Sequence, residues 1–245
     1  QLHLSYSSLN TARSALSCII TVDQMSVGKH PLVCRFLKGA FERKPPPSKT
    51  HGIWDVQLVL SFLKTYSPNE SLSLKELSLK LSMLLALVTI QRKQTLLQLK
   101  INEKCLKKAQ DEFVFILDGH VKQSRPNYSV PPVVIPKYTP DVDICPYLCL
   151  EEYIRRTDGL RQGERLFVSF IKPHKAIGSQ TLARWIKTVL HASGIGITTF
   201  KPHSTRHAAS TAAFQAGIGL DDILKKAGWS NAEIFKRFYY KHVIN

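Results

Sequence analysis

Three consecutive prolines, Pro45, Pro46 and Pro47, flanked by Lys44, Ser48 and Lys49, constrain this chain more than any other feature. Each proline fixes φ and lacks an amide hydrogen, so the run can neither continue a helix nor pair inside a sheet. It reads as a stiff, extended, positively charged connector. A domain boundary is expected there, with residues 1–47 on one side and 48–245 on the other. Before it, residues 4–41 are helical in pattern, with Leu9, Ala12, Leu16, Ile19 and Ile20 forming one apolar stripe and Leu32, Cys34, Phe36 and Leu37 a second. Residue 1 is Gln, so the sequence is expected to begin inside a longer product.

Beyond the connector, residues 54–66 read as a helix. Ser73 with Glu76 forms a capping box ahead of an apolar face made by Leu77, Leu81, Leu84, Leu85 and Val88, and Arg92 lies just past that face. Residues 113–117 alternate and are rich in strand formers, Asp118 and Gly119 supply turn chemistry, and 133–135 offer a second short strand after Pro131 and Pro132. Lys122 falls on the hairpin of this small sheet. Helices return over 146–156 and over 179–191, where Leu182, Trp185, Ile186, Val189 and Leu190 keep the spacing of one buried face. Three short helices follow: 204–216 closed by Gly217, 220–227 closed by Gly228, and 230–240 opened by Ser230 and Glu233. The expected fold is mainly α with a small antiparallel β-sheet.

Such a chain, at 245 residues, buries a sizeable core, and its 34 Lys and Arg against 18 Asp and Glu give a net charge of +16. That balance suits a polyanionic partner, nucleic acid first, with a ribosomal or membrane-surface protein as the alternative. The five cysteines are odd in number and scattered, which argues against a disulfide framework and for a reducing compartment. Cys145 and Cys149 have no histidines nearby at metal-binding spacing and are expected to be buried thiols, so no metal or other cofactor is expected. The longest apolar stretch, 81–90, is too short to span a bilayer. A soluble intracellular protein with no membrane partner is expected.

Cutting DNA without a metal requires a nucleophile, cations that absorb charge growing on the phosphate oxygens, and an acid for the departing sugar oxygen. His203 and Arg206 sit three apart at a helix start, sharing a face where backbone amides already favour an anion. Arginine suits the role because its planar fork grips two phosphate oxygens and stays charged. Tyr239 and Tyr240 end the helix that follows Trp229, and a tyrosine there can attack phosphorus. His203 and His207 have the spacing of a metal pair on a helix, but Ser204 stands where a metalloprotease carries glutamate. Asp221 and Asp222 are adjacent and diverge in direction, unlike the clustered carboxylates of a metal-dependent nuclease.

The order Arg92, Lys122, His203, Arg206, Trp229, Tyr239 resembles the active-site set of the tyrosine recombinase and phage integrase family, over nearly the full chain. Within that family it is most similar to the recombinases of DIRS-type and Ngaro-type retrotransposons. The resemblance rests on residues 11–16, 88–97, 167–174 with 181–190, and 202–207 with 227–240. It implies that Arg92 and Arg206 clamp the scissile phosphate, Lys122 is the general acid, His203 assists proton movement, Trp229 positions the nucleophile, and Tyr239 forms a 3′-phosphotyrosine link. It further implies double-stranded DNA as substrate, homo-tetramers on paired sites, no small-molecule substrate, a nuclear location, and residues 1–47 as part of a helical DNA-clamping domain. The chain departs from bacterial relatives around Arg92, where Ile90 and Gln91 replace Gly and Leu. Tyr240 stays open as the nucleophile, and Lys100, Arg125 and Lys137 stay open as the acid. A DNA-binding protein that keeps the fold without cutting is the alternative function.

Overall fold

The chain divides into two units, Gln1–His51 and Gly52–Asn245. The computed structural model describes residues 4–45, 52–121, 124, 130–229, 232, 233, 235, 242 and 243. In the first unit, helix α1 (Tyr6–Leu16) starts at Ser5, whose Oγ accepts the Ser8 amide at 3.1 Å. The expected stripe through Ile19 and Ile20 does not form, because α1 stops at Leu16 and Ile19 is 79% exposed. The cause is local: Ile19, Ile20, Thr21 and Val22 are four β-branched residues in a row, which favour extended backbone. They lead into a hairpin of β1 (Thr21–Val22) and β2 (Met25–Ser26), turned by Asp23 and Gln24 at φ 49° and 61°. Two left-handed residues in a two-residue loop match the twist of the strands.

Helix α2 (Pro31–Arg43) then begins with Pro31 in its first turn and His30 as N-cap. Gly28 makes the hairpin-to-helix link possible, since a Cβ there would stand 1.9 Å from Ser17 Oγ. Leu37 is the one large hydrophobic side chain buried in this unit among the described residues, while Leu4, Leu16, Leu32, Phe36 and Phe41 are exposed.

The second unit is built around α4 (Leu74–Thr89), opened by the expected capping box: Ser73 Oγ accepts the Glu76 amide at 3.2 Å and Glu76 accepts the Ser73 amide at 2.8 Å. The sequence suggests a one-sided helix, but α4 is buried around its whole circumference. It packs against α6 (Pro146–Thr157), α7 (Ser179–Ala192), α8 (Ser204–Gln215) and the sheet. Its polar residues are satisfied in place: Ser78 and Ser82 bond to backbone carbonyls, and fully buried Lys80 donates to Asn69 Oδ1 at 2.8 Å and to Tyr66 O. Burial holds the Lys80 ammonium below the usual lysine range.

The sheet is antiparallel, β4 (Leu106–Lys108), β5 (Glu112–Phe115) and β6 (Val133–Pro136), with Phe113 opposite Ile135 and Phe115 opposite Val133. Phe113, Phe115, Val133 and Ile135 are its buried face. A separate parallel pair joins β3 (Gly52–Ile53) to β7 (His242–Val243). Helix α3 (Val56–Lys64), shorter than the expected 54–66, is capped by Asp55, whose Oδ1 accepts the Gln57 amide at 2.8 Å. Helix α5 (Lys93–Gln98) follows α4, and α9 (Leu220–Ala227) ends at Gly228, which takes the left-handed conformation at φ 63°. Cys105, Cys145 and Cys149 are buried and free, and desolvation pushes the Cys149 thiol up to about 12. Among the described residues no helix is long and apolar enough to cross a membrane.

Candidate active site

Helix α4 does not run into Arg92. Ile90 takes a left-handed conformation at φ 54° and ends α4, and Arg92 becomes the N-cap of α5 two residues later. A β-branched residue is rarely found in that region, at a cost of roughly 1–2 kcal/mol. Ile90 holds it because its side chain is 4% exposed, seated in the core. Arg92 therefore does not cap the end of α4 as a cation would, but stands at the positive end of the next helix.

Gln91 ties this reversal to the far side of the domain. Its Nε2 donates to the carbonyl of Lys226, in the last turn of α9, at 2.7 Å. The neighbouring carbonyl, Ala227, accepts from Nη2 of Arg206. The terminal carbonyls of a helix lack intrahelical partners. Here two of them, on one helix end, anchor the turn before Arg92 and the guanidinium of Arg206.

Arg206 lies in the first turn of α8 and is 7% exposed. Its guanidinium carbon stands 4.7 Å from the ring centroid of Trp229, a cation–π contact in a dry setting. Trp229 is continued by Phe235 at 5.9 Å and Phe235 by Phe214 at 5.5 Å, so the arginine rests on an aromatic stack. The start of α8 is fixed by Trp54, fully buried beside β3, whose Nε1 donates to Ser204 Oγ at 2.9 Å. His203 is the N-cap of α8, and its ring lies 6.0 Å from that of His207.

Arg92, His203 and Arg206 line one cleft of about 340 Å³, with Gln91, Lys93 and His207 on its walls. Ser179 and Thr205, from the first turns of α7 and α8, also border it, so two positive helix ends add to the cationic walls. Trp229 does not line the cleft and acts from behind Arg206. Gln91 Oε1, Arg92 Nη1 and Thr205 Oγ1 are buried with no hydrogen-bond partner among the described residues. Such atoms are rare in folded proteins, and their convergence on one cleft is the mark of a polar ligand site. The cleft can therefore hold a compact oxyanion between two arginines. The described residues contain no group of three or more His, Cys, Asp or Glu fit to hold a metal ion.

Lys122, Tyr239 and Tyr240 lie outside the described residues, as does Arg125, a candidate for the acid. Lys100 and Lys137, also candidates for the acid, are engaged away from the cleft. Lys100 Nζ stands 2.6 Å from Asp118 and 3.7 Å from Glu164, and the Asp118 bond raises its pKa, the wrong direction for a proton donor at neutral pH. Lys137 stands 5.7 Å from the ring of Tyr147 and lines a different cavity. Sequence reasoning meets Gln91 only as a departure from bacterial relatives and passes over Thr205, since neither carries a signal beyond its place beside Arg92 or Arg206.

The profile described as the phage integrase family matches residues 55–244. Among solved structures, XerA recombinase is similar at 15% identity, with a TM-score of 0.56 over 99% of this chain and 80% of that one. XerH site-specific recombinase bound to its difH substrate gives 14% identity and a TM-score of 0.57 over 99% and 68%. The Tn1549 transposon integrase in complex with circular intermediate DNA gives 16% and 0.57 over 99% and 77%. No curated protein sequence matches the chain. At these identities the structural likeness establishes the fold, mostly helical with small sheets.

Proposed function

Because this chain belongs to the phage integrase family of tyrosine recombinases, we propose that it cuts and rejoins double-stranded DNA through a 3′-phosphotyrosine intermediate, without a metal. The observation that carries this reading is the cleft where Arg92 meets His203 and Arg206, more than a hundred residues further along the sequence, beside buried polar atoms of Arg92 and Thr205 that have no hydrogen-bond partner among the described residues. In the proposed reaction the two guanidinium groups bind the non-bridging oxygens of the scissile phosphate and absorb the charge that grows on them. The phenolate of Tyr239 attacks phosphorus, the bond to the 5′ oxygen breaks, and Lys122 supplies the proton that this oxygen takes up. His203 assists proton movement to and from the tyrosine. Rejoining is the reverse: the 5′ hydroxyl attacks, and Tyr239 leaves.

Arg206 is preorganised for this task by the Ala227 carbonyl and the Trp229 ring, so it needs no reorganisation when charge develops. The +16 charge supports a long DNA partner. XerH and the Tn1549 integrase are described in complex with DNA, and a homo-oligomer, tetrameric on paired sites, is the assembly proposed for this chain. The further assignments are a mobile-element origin, nearest to DIRS-type or Ngaro-type retrotransposons, and action in the nucleus. Residues 1–47 are assigned to a DNA-clamping domain and 48–245 to the catalytic domain.

The test is covalent trapping. The protein is incubated without metal on duplexes from candidate terminal repeats, nicked just downstream of the scissile phosphate so that the short fragment bearing the 5′ hydroxyl diffuses away. A denaturation-resistant protein–DNA complex is expected in wild type and in Tyr240→Phe but not in Tyr239→Phe. Loss in Tyr240→Phe alone moves the nucleophile by one residue. Tight DNA binding with no covalent species from any protein replaces the enzyme reading with a binding one.

A further inference from the structure

Thr205 is 2% exposed and lines the cleft between the arginines, yet its hydroxyl has no hydrogen-bond partner among the described residues. Other helical threonines of this chain satisfy themselves on the carbonyl four residues back: Thr89 on Leu85 at 2.6 Å, Thr157 on Tyr153 at 2.6 Å and Thr188 on Arg184 at 2.9 Å. Thr205 sits in the first turn of α8 and makes no such bond to the carbonyl four residues back, that of Lys201. Valine would fill the same volume without burying an unbonded hydroxyl, so packing alone does not account for threonine at this position. A second buried donor without a hydrogen-bond partner among the described residues, Arg92 Nη1, belongs to a residue that borders the same space. Burial of these two donors strengthens a bond that either makes to an anion.

We propose that Thr205 is a further catalytic residue, whose hydroxyl donates a hydrogen bond to a non-bridging oxygen of the phosphodiester held by Arg92 and Arg206. This rests on the reading of the cleft as the scissile-phosphate site. The side chain adds no charge. It contributes a directed donor from the inner wall, fixing the phosphate's rotation where the two arginine forks alone leave it free to turn. A hydrogen bond to a charged oxygen, made in a dry site, is worth roughly tenfold or more in affinity.

The experiment compares wild type, Thr205→Val and Thr205→Ser in two measurements on the whole chain. Inorganic phosphate is titrated against thermal unfolding, with chloride at matched ionic strength as the control. Valine is expected to weaken phosphate binding about tenfold or more and serine to restore it, while valine without phosphate unfolds at the same temperature as wild type or higher. Equal phosphate affinity in wild type and Thr205→Val overturns the proposal, and so does a lower unfolding temperature of Thr205→Val without phosphate, which would show the hydroxyl bonded within the protein. In covalent trapping, Thr205→Val is expected to lose about as much in rate as in phosphate affinity and Thr205→Ser to recover it. Weakened phosphate binding by Thr205→Val in a wild type that never forms a phosphotyrosine would keep Thr205 as an oxyanion contact and discard the cutting reaction.

Discussion

Replacing Gln91 by leucine separates the positioning of Arg92 from the stability of the fold. The substitution removes the 2.7 Å bond to the Lys226 carbonyl, a loss of about 1 kcal/mol for a neutral hydrogen bond. It also removes Oε1, a buried acceptor without a partner among the described residues, whose burial costs about 1–3 kcal/mol. The two effects oppose, so urea unfolding of Gln91→Leu is expected to fall within about 1 kcal/mol of wild type. The cleft responds differently. Arg92 is the next residue, and without the tie its guanidinium is free to drift relative to Arg206, which is held separately on Ala227. A displacement near 1 Å costs about a hundredfold in rate, so covalent-complex formation is expected to slow by roughly ten- to a hundredfold. A duplex with a methylphosphonate at the scissile position carries no charge there and has less need of an arginine. The defect is expected to shrink on that substrate. Undiminished trapping on the ordinary phosphate, or an equal defect on both substrates, would refute the reasoning, as would a destabilisation beyond about 3 kcal/mol.

Ile90→Gly relieves a left-handed strain of roughly 1–2 kcal/mol but empties a buried site worth about 2–5 kcal/mol, so urea unfolding is expected to show a net loss of about 2 kcal/mol, within a range of roughly 0–4. A gain in stability would mean that the strain outweighs the burial. Lys80 makes a pH prediction. Burial holds its folded pKa below the ordinary value near 10.4, so the unfolded chain binds more protons between the two values and stability rises with pH through that window. Subtracting the stability-versus-pH curve of Lys80→Met from that of wild type is expected to expose this rise, and a flat or falling difference contradicts it.

Short-range chemistry made much of this fold readable. The Ser73 and Glu76 box, the Gly228 stop after α9 and the buried face of α7 each depend on residues within a few positions of one another. Strand β4 was not readable, because an edge strand reading Leu-Lys-Lys has no alternation and uses its lysines to stay soluble. Nor was the β3–β7 pair, two residues long on each side and joined across almost the whole unit. The apolar periodicity of α4 pointed to one face because Ser78, Lys80 and Ser82 look like solvent positions. Only the partners that surround the helix reveal that they are buried. In the cleft, His203 and Arg206 were legible as neighbours on one turn, whereas their meeting with Arg92 depends on a left-handed isoleucine that no propensity favours. Thr205 carried no signal because a threonine at a helix start reads as ordinary capping chemistry.

The pairing of β7 with β3 sets a tether. Gly228 and Trp229 are fixed at one end by the close of α9 and the contact with Arg206, and His242 and Val243 at the other by Gly52 and Ile53. In the sequence Tyr239 and Tyr240 fall between these two fixed points, ten and eleven residues after Trp229 and three and two before His242. Under the proposed mechanism, then, a parallel pair of only two residues on each side anchors the far end of the segment that carries both candidate nucleophiles, and breaking that pair would release the segment without touching the arginines.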